Sequence, residues 1–147
     1  MSGTWTWYGK GLQALAQGTI DFDTDTFKLM LATNSYTPDQ DVHDFRDDVT
    51  TYEVGNSGTY SAGGATLSGV AVTYDSGTNE VRIKWTSPVS FTSATITARH
   101  AVIYKSRGGA ASADELVAYC TEASDITSTA GTFSITLPDP TLRITAS

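Results

Sequence analysis

The sequence predicts an all-β protein: an antiparallel β-sandwich, with the jelly roll as one form of it, and one short N-terminal α-helix. Three observations lead there. Charged residues make up only 17% of the chain and aromatic residues 10%, while Thr, Ser and Gly fill the polar share. That composition suits pleated, half-buried surfaces and is unlike that of a disordered chain, which is charge-rich and poor in aromatics. Short apolar runs, eight to nine of them, recur down the chain between turn signals, the pattern of a sandwich or barrel. Helical spacing is confined to the N-terminus. A length of 147 residues fits a single domain with a real core, divided into an N-terminal arm with its helix over 1–18 and a sandwich over 19–147.

Taken in order, Tyr8, Leu12, Leu15 and Ala16 fall at helical spacing, so a helix is expected over 7–17 with these residues on its apolar face. Gly18 is a natural residue to follow its last turn, while Gly9 and Gly11 weaken its first by about 1 kcal/mol each. Residues 21–25 form a polar connector. Residues 27–32 alternate, with Phe27, Leu29 and Leu31 on one face. Residues 35–48 read as an acidic loop and 50–54 as a short strand, with turns at 55–58 and at Gly63-Gly64. Strands follow at 70–74 and 81–85 around a hairpin loop at 75–79. Val89 and Phe91 come after Pro88, and 95–104 is the most apolar stretch, with 101–104 as its central part. Residues 108–114 read as a loop, 116–121 as a strand, 122–131 as a polar loop and 132–137 as another strand. Pro138-Asp139-Pro140 is a stiff turn before the last strand, 142–145.

Charge and composition exclude several classes of function. A net charge of −7 with scattered basic residues repels phosphate backbones, so no nucleic-acid partner is expected. No run approaches the ~20 apolar residues of a membrane helix, so no membrane partner is expected either. The first ten residues lack the apolar segment of a secretory signal, which predicts cytosolic synthesis without secretory processing. The single cysteine, Cys120, cannot form an intrachain disulfide. It sits in an apolar run, where a small buried core residue is the ordinary case.

Catalytic and metal patterns fare no better. Asp39, Asp41, His43, Asp44, Asp47 and Asp48 crowd one loop, and acidic loops can bind calcium. This one lacks the glycine and closing glutamate of an EF-hand, so turn-forming aspartates are the commoner case. Zinc is disfavoured because the second histidine, His100, lies far away in a strand. The sequence has no nucleophile elbow, phosphate loop or dinucleotide fingerprint, and no carboxylate pair stands out. The expectation is a protein that is not an enzyme, with no catalytic residues, cofactor or metal.

Aromatic residues in loops or at termini mark binding surfaces when exposed, although core packing is the default for each. Trp5, Trp7 and Tyr8 are the best exception, since a terminus frays unless it is tied down. Tyr36, Asp41, His43, Phe45 and Arg46 belong to the acidic loop. Together these eight residues are the candidate subunit or partner contacts.

Four segments carry a resemblance: Ser35-Tyr36-Thr37-Pro38-Asp39, His43-Asp44-Phe45, Tyr60-Ser61-Ala62-Gly63-Gly64-Ala65 and Ala101-Val102-Ile103-Tyr104. From about residue 8 to 137 the chain resembles a family of small virion structural proteins of tailed bacteriophages. The resemblance implies a decoration, or cement, protein on the capsid exterior. It would be made in the host cytoplasm, bind the major capsid protein, associate with itself as a dimer or trimer, and stabilise the head. The alternative is a tail- or fibre-associated module that recognises host glycans. The family pattern supplies no catalytic residues, and its often aromatic position is occupied here by Arg46, so a contact made by that loop is expected to differ.

Overall fold

A computed structural model describes residues 1–146. The elements are β1 (Trp5–Trp7), α1 (Gly9–Ala16), β2 (Phe27–Ala32), a one-turn helix α2 (Asp47–Thr50), β3 (Ala65–Thr66), β4 (Ala71–Asp75), β5 (Glu80–Lys84), β6 (Val89–Lys105), a 3-10 turn at Ala111–Ala113, β7 (Leu116–Ile135) and β8 (Leu142–Thr145). They form two antiparallel sheets, one ordered β1-β7-β6-β2-β3 and the other β4-β5-β8. The all-β sandwich expected from the sequence is therefore present. The sheets divide five and three, and β4–β5 and β6–β7 are hairpins within a sheet, so the architecture is a sandwich of unequal layers.

The larger sheet is covered on both faces. Phe27, Leu29, Leu31, Ala101 and Ile103 point into the main core between the sheets, with Ile83 and Leu142 of the smaller sheet and Trp85 just after β5. Their alternates Met30, Ala32, Val102 and Tyr104 point the other way, into a second core with Tyr8, Tyr36, Val49 and Leu116. Burial on both faces explains why 29–32 and 101–104 are continuous apolar runs: neither face of these segments meets water. Further along β6 only one face is buried, through Phe91, Ala94, Ile96 and Ala98. The sequence there alternates with threonines, as a one-sided strand requires.

Three local expectations are corrected. Residues 122–131 are not a loop but the middle of β7, which pairs with β6 from Leu116 to Ile135. Polar residues fill this stretch because most of its side chains lie at the surface. Register shifts interrupt the ladder between Phe91 and Ala94, Ala94 and Ile96, and Ala98 and His100, so simple alternation is broken there too. Residues 50–54 are not a strand; α2 ends at Thr50, and Glu53 makes a lone bridge to Ala32. The arm over 1–18 is not separate from the sheet, because β1 pairs with β7 through Trp5↔Cys120 and Trp7↔Ala118.

The helix expected over 7–17 begins at Gly9, after Trp7 has completed a strand. Its buried contact is Gly11, while Leu12 is 37% exposed, so the leucine face is not the main packing face. A Cβ on Gly11 would collide with the carbonyl oxygen of Leu116. Glycine lets the helix backbone lie directly on β7, a contact that outweighs its poor helix propensity. The C-terminus follows the expected pattern: Gly18 has φ +77 and donates to Leu15 O, while Thr19 donates to Ala14 O. This is a Schellman motif.

Candidate functional site

The acidic loop lies against the N-terminal strand and helix, over the second core. Two hydrogen bonds strap it there. Gly9 N–H donates to Gln40 O at 2.9 Å, and Gln40 Nε2 donates to Trp7 O at 2.9 Å. The first bond satisfies one of the free amides at the start of α1, where Tyr8 occupies the cap position without a side-chain cap.

Beneath the strap runs a chain of hydroxyl and imidazole groups. Tyr8 Oη lies 2.7 Å from Tyr36 Oη, which lies 2.9 Å from His43 Nδ1. Asp39 N–H donates to the same Nδ1 at 3.1 Å. An amide can only donate, so Nδ1 is an acceptor; Tyr36 therefore donates to His43, and Tyr8 donates to Tyr36. The His43 ring stacks on Tyr36 at 5.5 Å between centroids. Burial pushes the Tyr36 hydroxyl up to about 12, against a smaller opposing effect of the bond from Tyr8. Tyr8 is raised further, by burial first and then by Tyr36. Both phenols are neutral over the ordinary pH range.

The aspartates act mainly as turn formers. Asp39 Oδ1 accepts from Asp41 N–H at 3.0 Å and Val42 N–H at 3.1 Å, and Asp48 Oδ2 accepts from Asp44 N–H at 2.9 Å. Among the described residues, no three His, Cys, Asp or Glu side chains converge as a metal site would need. The far end of the loop is clamped by Arg46. Its Nε donates to Asp114 Oδ2 at 2.9 Å, and its guanidinium stands 5.1 Å from the Tyr104 ring centroid. Asp114, 1% exposed, also accepts from Arg107 N–H at 2.8 Å. Phe45 bridges to Glu115, and Leu116 N–H donates to Asp44 O, so the loop is stitched to the β6–β7 connection at this end.

The eight candidate contact residues thus separate. Tyr8 and Tyr36 are fully buried and Trp5 is nearly so, so each is placed inside the chain and none offers a contact face. Trp7 is half-buried, with its indole N–H donating to Arg143 O at 3.0 Å. His43, Phe45 and Arg46 are half-buried and committed to internal partners. Only Asp41 stands fully exposed, and the loop tip beside it carries Val42, 67% exposed. Sequence reading missed Val42, although a lone valine amid aspartates was the available signal. The tip of the loop is thus an apolar residue beside the Asp41 carboxylate, held by internal hydrogen bonds.

Cys120 is buried, with its thiol pushed up to about 11 by burial and, to a lesser degree, by Glu122. It is a neutral core group at ordinary pH. No family model, curated protein or solved structure matches the chain.

Proposed function

We propose that this protein is a non-enzymatic structural subunit of a tailed-bacteriophage virion, which decorates the capsid exterior and stabilises the head. Its partners in this reading are the major capsid protein and further copies of itself. The observation that carries the proposal is the set of four segments that resemble the family, and each has a task in this fold. Tyr36 and His43 form the buried hydrogen-bond chain. Tyr60 receives the Leu31 amide and donates to Glu53 at 2.7 Å. Tyr104 donates to Gly63 O at 2.6 Å. Gly64, with φ +74, sits where a Cβ would collide with Leu29 O. These bonds give the segments their roles in this fold, while the likeness itself rests on the sequence.

The geometry supports a cement role in a second way. The loop tip at Asp41 and Val42 is anchored from both ends, so it meets a partner with little ordering cost. Modest affinity suffices on a capsid lattice, where repeated sites let weak contacts add. The glycan-binding alternative loses two of its candidate rings, because Tyr36 and Tyr60 are 2% and 1% exposed and present no face to a sugar.

The test is co-sedimentation with capsids stripped of this protein. The wild type is expected to pellet with the heads and saturate, and Asp41→Lys with Val42→Lys to stay largely in the supernatant with its fold intact. A wild type that never pellets with heads would count against the proposal.

A further inference from the structure

The smaller sheet ends in β4 as an edge strand. β4 pairs with β5 on one side, in unbroken register from Ala71↔Lys84 to Asp75↔Glu80, and among the described residues has no strand on the other. Other sheet edges are protected. β1 and β3 are only three and two residues long, and at β8 the Arg143 carbonyl is taken by Trp7. β4 carries no proline, lysine or bulge that would blunt an edge.

The face of β4 that continues the core is also open. Val72 pairs with Ile83 and Tyr74 with Val81, so these side chains share a face with Ile83, which is 1% exposed. Yet Val72 is 43% and Tyr74 58% exposed. Beside Val72 is an open cleft of about 290 Å³, lined by Leu15, Ile20, Phe22 and two aspartates, Asp21 and Asp23. Tyr74 is tethered in place by its hydroxyl bond to Asn79 Oδ1 at 3.1 Å.

We propose that β4 is a dimerisation edge, and that a second copy of this chain pairs with it antiparallel about a two-fold axis at Thr73. An interface with two-fold symmetry must be self-complementary, and this register is. Thr73 faces Thr73 of the second copy, and Val72 faces Tyr74, so each exposed apolar residue covers the other across strands. Each Tyr74 ring then lies over the mouth of the other copy's cleft. On the opposite face, Asp75 meets Ala71 of the second copy, and next beyond that small residue is Lys84. No like charges stand directly opposite. A shift of the axis to Asp75 would set the two Asp75 carboxylates against each other, which disfavours that register. This deepens the self-association part of the virion reading but rests on the edge strand alone.

Sedimentation velocity and disulfide trapping test it together. The wild type is expected to run as a dimer at micromolar concentration, and Tyr74→Lys to raise the dimer dissociation constant roughly tenfold or more. Thr73→Cys is expected to cross-link on mild oxidation, since facing Cα atoms lie about 5 Å apart in such a pair. The wild type, whose only thiol is the buried Cys120, should not cross-link. A monomer or trimer, a Tyr74→Lys protein that dimerises as the wild type does, or a folded Thr73→Cys protein that fails to cross-link would each overturn the proposal. A trapped dimer in a protein that never binds heads would sustain the edge pairing and remove the capsid role. A head-bound protein that stays monomeric in solution would do the reverse.

Discussion

Tyr8 and Tyr36, 28 residues apart, share a 2.7 Å hydrogen bond between buried hydroxyls. It ties the residue before the first helix to the start of the acidic loop. Tyr8 donates and Tyr36 accepts, because Tyr36 spends its own proton on His43. Tyr36→Phe leaves the buried Tyr8 donor without a partner and should cost about 1–3 kcal/mol. Tyr8→Phe leaves only an acceptor that still donates elsewhere, and should cost less. The double variant should lose less than the sum of the two in urea unfolding. Strict additivity would show that the two hydroxyls do not interact.

Arg46 and Asp114 give a second prediction. The Asp114 side chain is 1% and that of Arg46 17% exposed, so removing the cation strands a buried carboxylate. Arg46→Ala should destabilise the chain by roughly 3 kcal/mol, with part of the loss from the Tyr104 stacking contact. Arg46→Lys should recover only part, because the ammonium lacks the planar group that stacks on Tyr104. Thermal unfolding of both variants checks this, and a fully stable Arg46→Ala would contradict the clamp.

Gly11 gives a third. A helix-propensity argument alone predicts that Gly11→Ala stabilises by about 1 kcal/mol. The close approach of α1 to β7 at Leu116 predicts the opposite sign. Gly9→Ala is the milder control, since its Cβ would lie 3.2 Å from Gln40 O. Unfolding curves in which Gly11→Ala is the more stable protein would rule out the direct backbone packing.

The pH dependence has two limbs. His100 is 4% exposed and its pKa is lowered, by burial first and then by Arg99, against smaller opposing effects of its hydrogen bond to the Tyr36 backbone and of Asp125. Thr121 and Tyr36 are its other close neighbours. The unfolded chain then binds the proton more readily than the folded one. Stability is therefore full above the ordinary histidine value of 6.5 and declines as pH falls below it, toward the lowered folded pKa. At the alkaline end Tyr36 and Tyr104 are pushed up to about 12 from 10.0, both chiefly by burial. The folded chain holds these protons longer, so stability is full below 10 and is lost as pH rises toward 12. His100→Gln should flatten the acid limb and leave the alkaline limb in place, as read by unfolding free energy across pH.

Much of the fold was legible in the sequence because alternation reports burial on one face. Phe27, Leu29 and Leu31 face one core as their spacing implied. The middle of β7 was illegible because its apolar signal vanishes: its side chains are mostly at the surface, and hydrogen bonds to β6 hold the strand. Gly11 was misread because a backbone contact leaves no hydrophobic trace. The candidate site was legible only as a place. Residues 35–48 form the strapped loop, but Tyr8 and Tyr36 turn inward, and that follows from a hydrogen-bond partner distant in sequence. The exposed edge at Val72 and Tyr74 was hidden, since an uncovered strand face has the same alternation as a covered one.

The proposed place of this protein is the outer surface of the virion head. Gold-labelled antibody against this protein, applied to intact purified phage and imaged by electron microscopy, tests it directly. The account predicts label distributed over the head surface. Label restricted to the tail, or virions that carry none of the protein, would contradict it.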